Sequence, residues 1–333
     1  MEIRGCGQLK HIIKNEGEGA TTTHISRKNE ERRSRPCFPK LRELTVVDCN
    51  ELKCLFSLSN AVQLSQLEKL IISKAAQLKQ AFGYKNKDVS CNIDKIMLPN
   101  LRELRLEMLP NFVDICPGLK VHAAKLWKMR VVKCPKFDSI HEWSTQAQVI
   151  NDRQVRNEVS YVDDSSFEEE QEKIITPNHE CLYLRGLPDL MFIWKGATLI
   201  NFQNLVELSV IACGKLKFIF PACAIRSLPT LKYLIIVDCE ELEQIFGYGS
   251  EKHDYDGKVI ELALPKLTVL ELFHLSKFAS FGGDLQFKFK FQALERYEVQ
   301  DCPKLSSTTL ATLENFLPNF NTGMYCSTKH IKI

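Results

Sequence analysis

The sequence has little net charge, no long apolar run and no paired-cysteine motif. Its 44 basic and 41 acidic residues leave a net charge of +3 over 333 residues, which is too small to indicate a nucleic-acid partner. No apolar stretch approaches the roughly 18 to 20 residues that cross a bilayer, and no basic start followed by an apolar segment opens the chain. We therefore expect neither a membrane span nor a secretion signal of that kind.

The 13 cysteines do not indicate disulfides or zinc, because no Cys-x-x-Cys pair occurs and the odd count leaves a thiol unpaired. Six of them occupy the same position after an alternating apolar stretch: Cys6, Cys49, Cys134, Cys213, Cys239 and Cys302. A small, weakly polar thiol suits a buried turn, so we predict reduced structural cysteines stacked inside the fold. Reduced thiols favour a reducing compartment. The expected location is the cytoplasm, with the nucleus or the inner face of the plasma membrane reached through partners.

Motifs for catalysis, nucleotides and metals are missing as well. Gly257-Lys258 has the wrong glycine spacing for a phosphate-binding loop, and Val259 follows where Ser or Thr is needed. His179-Glu180-Cys181 lacks a second pair of metal ligands. Neither a Gly-x-Ser-x-Gly turn nor a His-Glu-x-x-His helix is present. The sequence therefore predicts no enzymatic activity, no cofactor and no metal site.

What the chain does contain is one pattern that recurs along its length. The pattern is apolar-x-x-apolar-x-apolar-x-x-Cys, with a further apolar residue three positions later. Its first full copy is Leu41, Leu44, Val46, Cys49 and Leu52. With a leading fragment at Ile3 and a partial copy at Leu182, ten copies can be aligned. The alternation in Leu44-x-Val46 places both side chains on one face of a short strand.

One copy cannot fold alone. Ordering a coil of about 26 residues costs roughly 1 to 2 kcal/mol per residue, whereas each of its few buried side chains contributes only about 1.5 to 3 kcal/mol. Neighbouring copies must therefore stack. We predict an α/β leucine-rich-repeat solenoid, a curved horseshoe with a parallel sheet on its concave face and irregular turns and short helices on its convex face.

The copies fall into two similar blocks, 38–140 and 202–308, within a single solenoid over 1–333. Gln80-Ala81-Phe82-Gly83-Tyr84 in the first block corresponds to Gln244-Ile245-Phe246-Gly247-Tyr248 in the second, so an internal duplication is predicted. Polar loops are expected at 14–37 and 144–178, and the acidic run 163–172 reads either as a solvated loop or as a docking or regulatory segment. From Ser307 an apolar stripe predicts a capping helix, with the tail running to 333.

The residues that alternate with the buried pair should face outward on the concave face, which solenoids offer to partners. In the second block six of these are apolar: Ile211, Tyr233, Ile235, Val237, Val269 and Phe273. The first block presents a mixed, charged face that includes Arg105 and Arg130. Because a contiguous exposed apolar patch usually marks a contact site, we predict that the six apolar residues of the second block bind a partner, and we include Arg105 and Arg130 among the predicted partner-binding residues. The alternative is that β-branched residues merely favour strands, or that a long loop covers the patch.

Three phrases also carry a family resemblance: Phe38-Pro39-Lys40-Leu41-Arg42-Glu43-Leu44, Leu98-Pro99-Asn100-Leu101-Arg102-Glu103-Leu104 and Leu228-Pro229-Thr230-Leu231-Lys232-Tyr233-Leu234. They resemble the C-terminal repeats of plant intracellular disease-resistance receptors of the coiled-coil nucleotide-binding leucine-rich-repeat class. The resemblance covers nearly the whole chain apart from the polar loops and the tail. It implies recognition of a pathogen effector, or of a host protein altered by one, and restraint of a nucleotide-binding switch.

The expected partners are therefore that effector or host protein and a nucleotide-binding domain. These 333 residues show neither a phosphate-binding loop nor coiled-coil heptads, so the resemblance implies the sensing half only. Two other interpretations stay open. Cysteine-ended repeats of this length also resemble those of F-box ubiquitin-ligase adaptors, although residues 1–40 provide no ligase-binding helices, and the chain could be a receptor fragment without function.

Overall fold

The computed structural model describes residues 1–12, 38–57, 64–83, 95–137, 140, 147–149, 173–175, 178–194, 199–200, 202–247, 259–282 and 286–305. Its main element is a ten-stranded parallel sheet whose strands follow one another in chain order. We number the coils 1 to 10 by these strands: Glu2–Arg4, Glu43–Val47, Lys69–Ser73, Glu103–Glu107, Lys128–Val132, Cys181–Arg185, Glu207–Ile211, Tyr233–Val237, Val269–Phe273 and Arg296–Gln300. No helix in these ranges is long and apolar enough to cross a membrane.

Consecutive strands pair in strict register, so equivalent residues of the repeat lie side by side. Leu44 pairs with Leu70, and Leu70 with Leu104. The two alternating apolar residues of each coil point inward, and Leu44 and Val46 are completely buried. Buried residues from the successive coils form one continuous core. The predicted leucine-rich-repeat solenoid with a parallel sheet is therefore confirmed.

The opposite side of the coils, where irregular turns and short helices were expected, consists in the described ranges mainly of turns and short parallel strand pairs. These pairs are Phe56–Ser57 with Phe82–Gly83, Lys95–Met97 with Lys120–His122, Phe218–Pro221 with Gln244–Gly247, and Val259–Leu264 with Gln286–Phe291. A mixed sheet joins Ala147–Val149, Lys173–Ile175 and Leu199–Ile200, and a 3-10 helix spans Ala222–Arg226. In-register stacking explains the strand pairs, because it brings the returning segments of neighbouring coils side by side as well.

Each strand of the main sheet ends at a residue with a left-handed backbone. The ten residues have φ between 52° and 63° and are Gly5, Asp48, Lys74, Met108, Lys133, Gly186, Ala212, Asp238, His274 and Asp301. This conformation turns the chain so that the residue that follows points inward. An L-residue in this region costs about 1 to 2 kcal/mol relative to the right-handed form. Eight of the ten residues are not glycine. In those eight coils stacking therefore outweighs this cost.

The repeat cysteines lie directly after this turn. Their Sγ atoms lie 3.4 to 3.6 Å from the carbonyl oxygen two residues earlier, at the end of the strand. Cys49, Cys134, Cys213 and Cys239 are buried, and all six are free thiols. Burial raises the pKa of Cys134 to about 12, which keeps this thiol protonated and able to donate.

Cys6 differs from the prediction that all six cysteines stack inside the solenoid. It is exposed, because its coil provides the edge strand of the sheet and is covered on one side only. Cys302 in coil 10, the other edge, is half-buried for the same reason. Several predicted segments lie outside the described residues: the polar loop 14–37, the acidic run 163–172 and the capping helix and tail 307–333. Of the loop 144–178, only 147–149, 173–175 and 178 are described.

His179 is a buried side chain at the start of coil 6. It is 2% exposed, its Nδ1 lies 3.1 Å from the Leu126 carbonyl oxygen, and its ring faces Trp194 at 6.4 Å. Burial lowers the pKa of His179 to about 4, against a smaller opposing effect of the Leu126 hydrogen bond. The imidazole is therefore neutral in the folded protein throughout the physiological pH range.

We expect Gly186→Ala to destabilise the protein by about 1 to 2 kcal/mol, because alanine must adopt the left-handed conformation there. A Cβ at this position meets nothing closer than 3.5 Å, so the cost is one of backbone conformation. Gly214→Ala is the matched control, since its Cβ meets nothing within 4 Å and its φ lies outside the left-handed region. Chemical denaturation of both variants measures the difference, and equal stability would contradict a requirement for glycine.

His179 should make folding stability depend on pH below neutrality. Above pH 6.5 the side chain is neutral in both states. As the pH falls from 6.5 toward 4, only the unfolded chain binds the proton, so stability is lost, in total by about 3 kcal/mol. In urea titrations from pH 7 to 4.5, His179→Gln should show a shallower loss than the wild type. A wild-type slope in His179→Gln would refute the assignment.

Candidate protein-binding face

The outward side chains of the main sheet form three rows that run across the strands. The first, middle and third rows hold the first, third and fifth residues of each five-residue strand, and register pairing places row neighbours next to one another. From coil 4 to coil 10 the third row contains Glu107, Val132, Arg185, Ile211, Val237, Phe273 and Gln300. These rows form the surface of the sheet that a partner can contact.

The six apolar residues predicted as a contact site are brought together by coils 7 to 9, and we call them the apolar patch. Ile211, Val237 and Phe273 are consecutive in the third row, whereas Tyr233 pairs with Val269 in the first row. Ile235 lies between the two rows, in coil 8. Tyr233 is 40% exposed, and the other five are half-buried. The patch is a shallow, partly accessible apolar surface of the kind that marks contact sites.

The middle row of the patch contains two polar residues whose burial sequence reasoning missed. Ser209 is 3% and Glu271 is 7% exposed, on either side of Ile235. The Glu271 carboxylate forms a charge-assisted hydrogen bond with the guanidinium of Arg296 in coil 10. The alternation of the strand predicts only that Glu271 points outward. The one signal that its charge is compensated is Arg296, a basic residue in the next coil that pairs with Val269, two residues before Glu271.

Arg105 and Arg130 lie outside the patch. They are neighbours in the middle row, and Tyr183 and Ser209 separate Arg130 from Ile235. Arg130 Nε donates to Glu107 Oε1 at 2.9 Å, and its guanidinium lies 4.0 Å from the centre of the Tyr183 ring. Both contacts hold this side chain in place.

Arg105 is held in a similar way by a carboxylate. Its Nε lies 2.6 Å from Glu103 Oε1, and Lys69 approaches the other oxygen of that carboxylate at 3.3 Å. Partial burial acts to raise the pKa of Glu103, but the hydrogen bonds and charges of Arg105 and Lys69 outweigh it and hold the pKa below its ordinary value. The carboxylate stays ionised and the arginine stays paired.

The charges around the patch are of opposite sign at its two ends. On the coil 6 side lie Arg185 and Lys133, whose backbones are joined by a hydrogen bond from Lys133 N to the Arg185 carbonyl oxygen at 2.8 Å. Within the described part of the chain neither side chain forms an ion pair.

On the coil 10 side, His274 lies between two carboxylates of the left-handed row. Its Nδ1 is 2.9 Å from Asp238 Oδ1 and its Nε2 is 3.2 Å from Asp301 Oδ2. Glu298 is a further exposed carboxylate in coil 10, 3.9 Å from Arg296. The described residues contain no group of three or more His, Cys, Asp or Glu side chains that could hold a metal ion.

Comparisons with known proteins agree with the repeat architecture. Residues 18–152 and 146–240 match the family described as plant disease resistance protein RPS2-like, leucine-rich repeats. A probable disease resistance protein of Arabidopsis thaliana is 32% identical over 126 residues, which cover 38% of this chain and 12% of the relative. A putative disease resistance protein of the same plant is 22% identical over 328 residues, 92% of this chain and 24% of the relative. The chain thus spans a quarter or less of these relatives, and no solved structure matches it.

We expect Arg296→Ala to destabilise coils 9 and 10 by about 1 to 3 kcal/mol, because it leaves the largely buried Glu271 carboxylate without its charged partner. Arg296 is itself half-exposed, which places the cost below that of a fully buried pair. In a Glu271→Leu background the same Arg296→Ala change should cost little. Chemical denaturation of the four proteins gives the coupling energy, and a coupling near zero would contradict the role of this pair.

Proposed function

We propose that this chain, which belongs to the RPS2-like leucine-rich-repeat family of plant disease resistance proteins, is a protein-recognition module of an intracellular immune receptor. It would sense a pathogen effector, or a host protein that an effector has modified, and would contact that protein through the apolar patch. The observation that carries the proposal is the grouping of six apolar side chains on the outer face of a sheet whose core is already filled.

The packing explains why these six side chains are available to a partner. The inner side chains of coils 7 to 9, such as Leu208, Val210 and Leu234, are 0 to 1% exposed and form the core. The outward apolar residues keep part of their surface in solvent. Burying their remaining exposed surface against a partner would contribute roughly 25 cal/mol per Å² of apolar area.

A second partner follows from the way such a module would be used. Sensing produces a signal only if it changes a switch, and residues 1–333 contain no phosphate-binding loop. The switch would therefore be a nucleotide-binding domain outside these residues, and the module would restrain it until the recognised protein binds. The free cysteines fit a reducing compartment, which supports a cytoplasmic location.

The test is to capture partners from plant extract with the wild-type chain and with the double variant Tyr233→Glu, Phe273→Glu. Two carboxylates in the patch should abolish capture of the recognised protein, because desolvating an unpaired charge at an interface is costly. Thermal stability is matched first, so that loss of binding is not loss of folding.

The control variant Thr45→Glu, Val47→Glu places the same two charges on the same face of the sheet in coil 2, outside the patch. It should retain every partner. If both double variants keep the wild-type partners, the patch is not the recognition surface. If both lose them equally, binding depends on the face in general and the assignment to coils 7 to 9 is wrong.

A further inference from the structure

Across coils 6 to 10 the third row begins with a basic residue, continues with three apolar residues and ends with an uncharged polar one. Arg185 is followed by Ile211, Val237 and Phe273, and Gln300 ends the row. Neighbouring strands are about 4.8 Å apart, so this run is about 19 Å long. It is a narrow apolar track with a cation at one end.

The sheet backbone cannot bind a partner at this place. The strand of coil 8 pairs along all five residues with coil 7 and along all five with coil 9. Adding a strand requires a free sheet edge, and in the described residues the main sheet has its edges at coils 1 and 10. A partner at the patch must therefore be bound by side chains of the sheet and not by its backbone.

An α-helix matches the dimensions of this track. It advances 5.4 Å per turn, close to the strand spacing, so a helix laid along the third row places about one side chain over each coil. The first and third rows are about 13 Å apart, at about 3.3 Å per residue along a strand. A helix with its side chains is about 10–12 Å wide. Above the middle row it would contact Tyr233 on one side and the third row on the other.

The charges at the two ends set the direction of such a helix. Lys133 of coil 5 and Arg185 of coil 6 form the basic end. Asp301 and Glu298 of coil 10 form the acidic end, where both are exposed and also contact His274 and Arg296 respectively. A helix carries partial positive charge at its N-terminus and partial negative charge at its C-terminus. Its C-terminus is therefore favoured over coils 5 and 6 and its N-terminus over coils 9 and 10.

We infer that the apolar patch takes an amphipathic helix of the recognised protein. The helix lies parallel to the third row, with acidic residues in its last turn over Arg185 and Lys133 and basic residues in its first turn over Asp301 and Glu298. This inference rests on the proposed recognition function and adds the shape, charge and direction of the segment that is recognised.

Two peptides of identical composition test the inference on the full chain. Each has four helical turns with one leucine stripe. Both are held helical by the same side-chain crosslink. The first carries two lysines in its first turn and two glutamates in its last turn, whereas the second carries one lysine and one glutamate in each of these turns and so matches the two ends of the face in neither direction. By fluorescence anisotropy, the first peptide should bind about tenfold more tightly, because all four of its charges meet opposite charges, and partly exposed ion pairs each add a small attraction.

Variants of the chain then separate charge from apolar contact. Arg185→Glu with Lys133→Glu should abolish the preference between the peptides, because both ends of the face are then acidic. Phe273→Ala should weaken both peptides about tenfold or more, because it removes an apolar contact from the track. Val47→Ala lies in the same row in coil 2, away from the proposed helix, and should leave both affinities unchanged.

Equal binding of the two peptides, or binding of neither at millimolar concentration, would overturn the helical partner. So would self-association of the chain that Phe273→Ala abolishes, because the occupant would then be a second copy. Failure here is distinct from failure of the proposed function. If the peptides do not discriminate but the Tyr233→Glu, Phe273→Glu variant still loses its plant partner, the patch recognises a protein by another shape.

Discussion

The structure depends on in-register pairing between successive coils. A coil has no core of its own. Its two inward strand side chains, and the cysteine, alanine or leucine after the turn, are buried against the coils on either side. Register shift by one residue would turn the buried pair outward. The left-handed residue at each strand end fixes the point at which the chain leaves the sheet, and so keeps every coil in phase with its neighbours.

The same constraint separates folding from recognition. The backbone ladder uses the peptide groups of the inner strands and the core uses every second side chain, so most of the remaining side chains can vary without disturbing either. Glu271 is an exception, because it is buried and paired with Arg296. Ile71, Arg105 and Ile235 all occupy the middle row, and their backbones are equivalent. The surface chemistry of the sheet can therefore differ from coil to coil while its shape is kept.

The sequence predicted those features that follow from strict repetition. Leu44 and Val46 alternate with polar residues, and this alternation located the strand, its buried face and its outward side chains. The left-handed conformation of Ala212 and Met108 was beyond reach, because nothing in these residue types favours it and stacking alone imposes it. The exposure of Cys6 depends on its position at the sheet edge, which a repeat pattern does not encode. The burial of Glu271 depends on Arg296, a pairing between coils that appears only once the register is known.

The basic residues of the face do not contribute equally to binding a partner. Arg105 and Arg130 already share carboxylates with Glu103 and Glu107, so an acidic partner group gains little from them unless those ion pairs are given up. They give the surface shape and rigidity. Arg185 and Lys133 have no such carboxylate in the described residues, and an acidic group that meets them adds a new attraction without breaking an old one. The boundary between coils 5 and 6 should therefore contribute most to electrostatic selectivity. The carboxylates of coil 10 contribute less, because they are shared with His274 and Arg296.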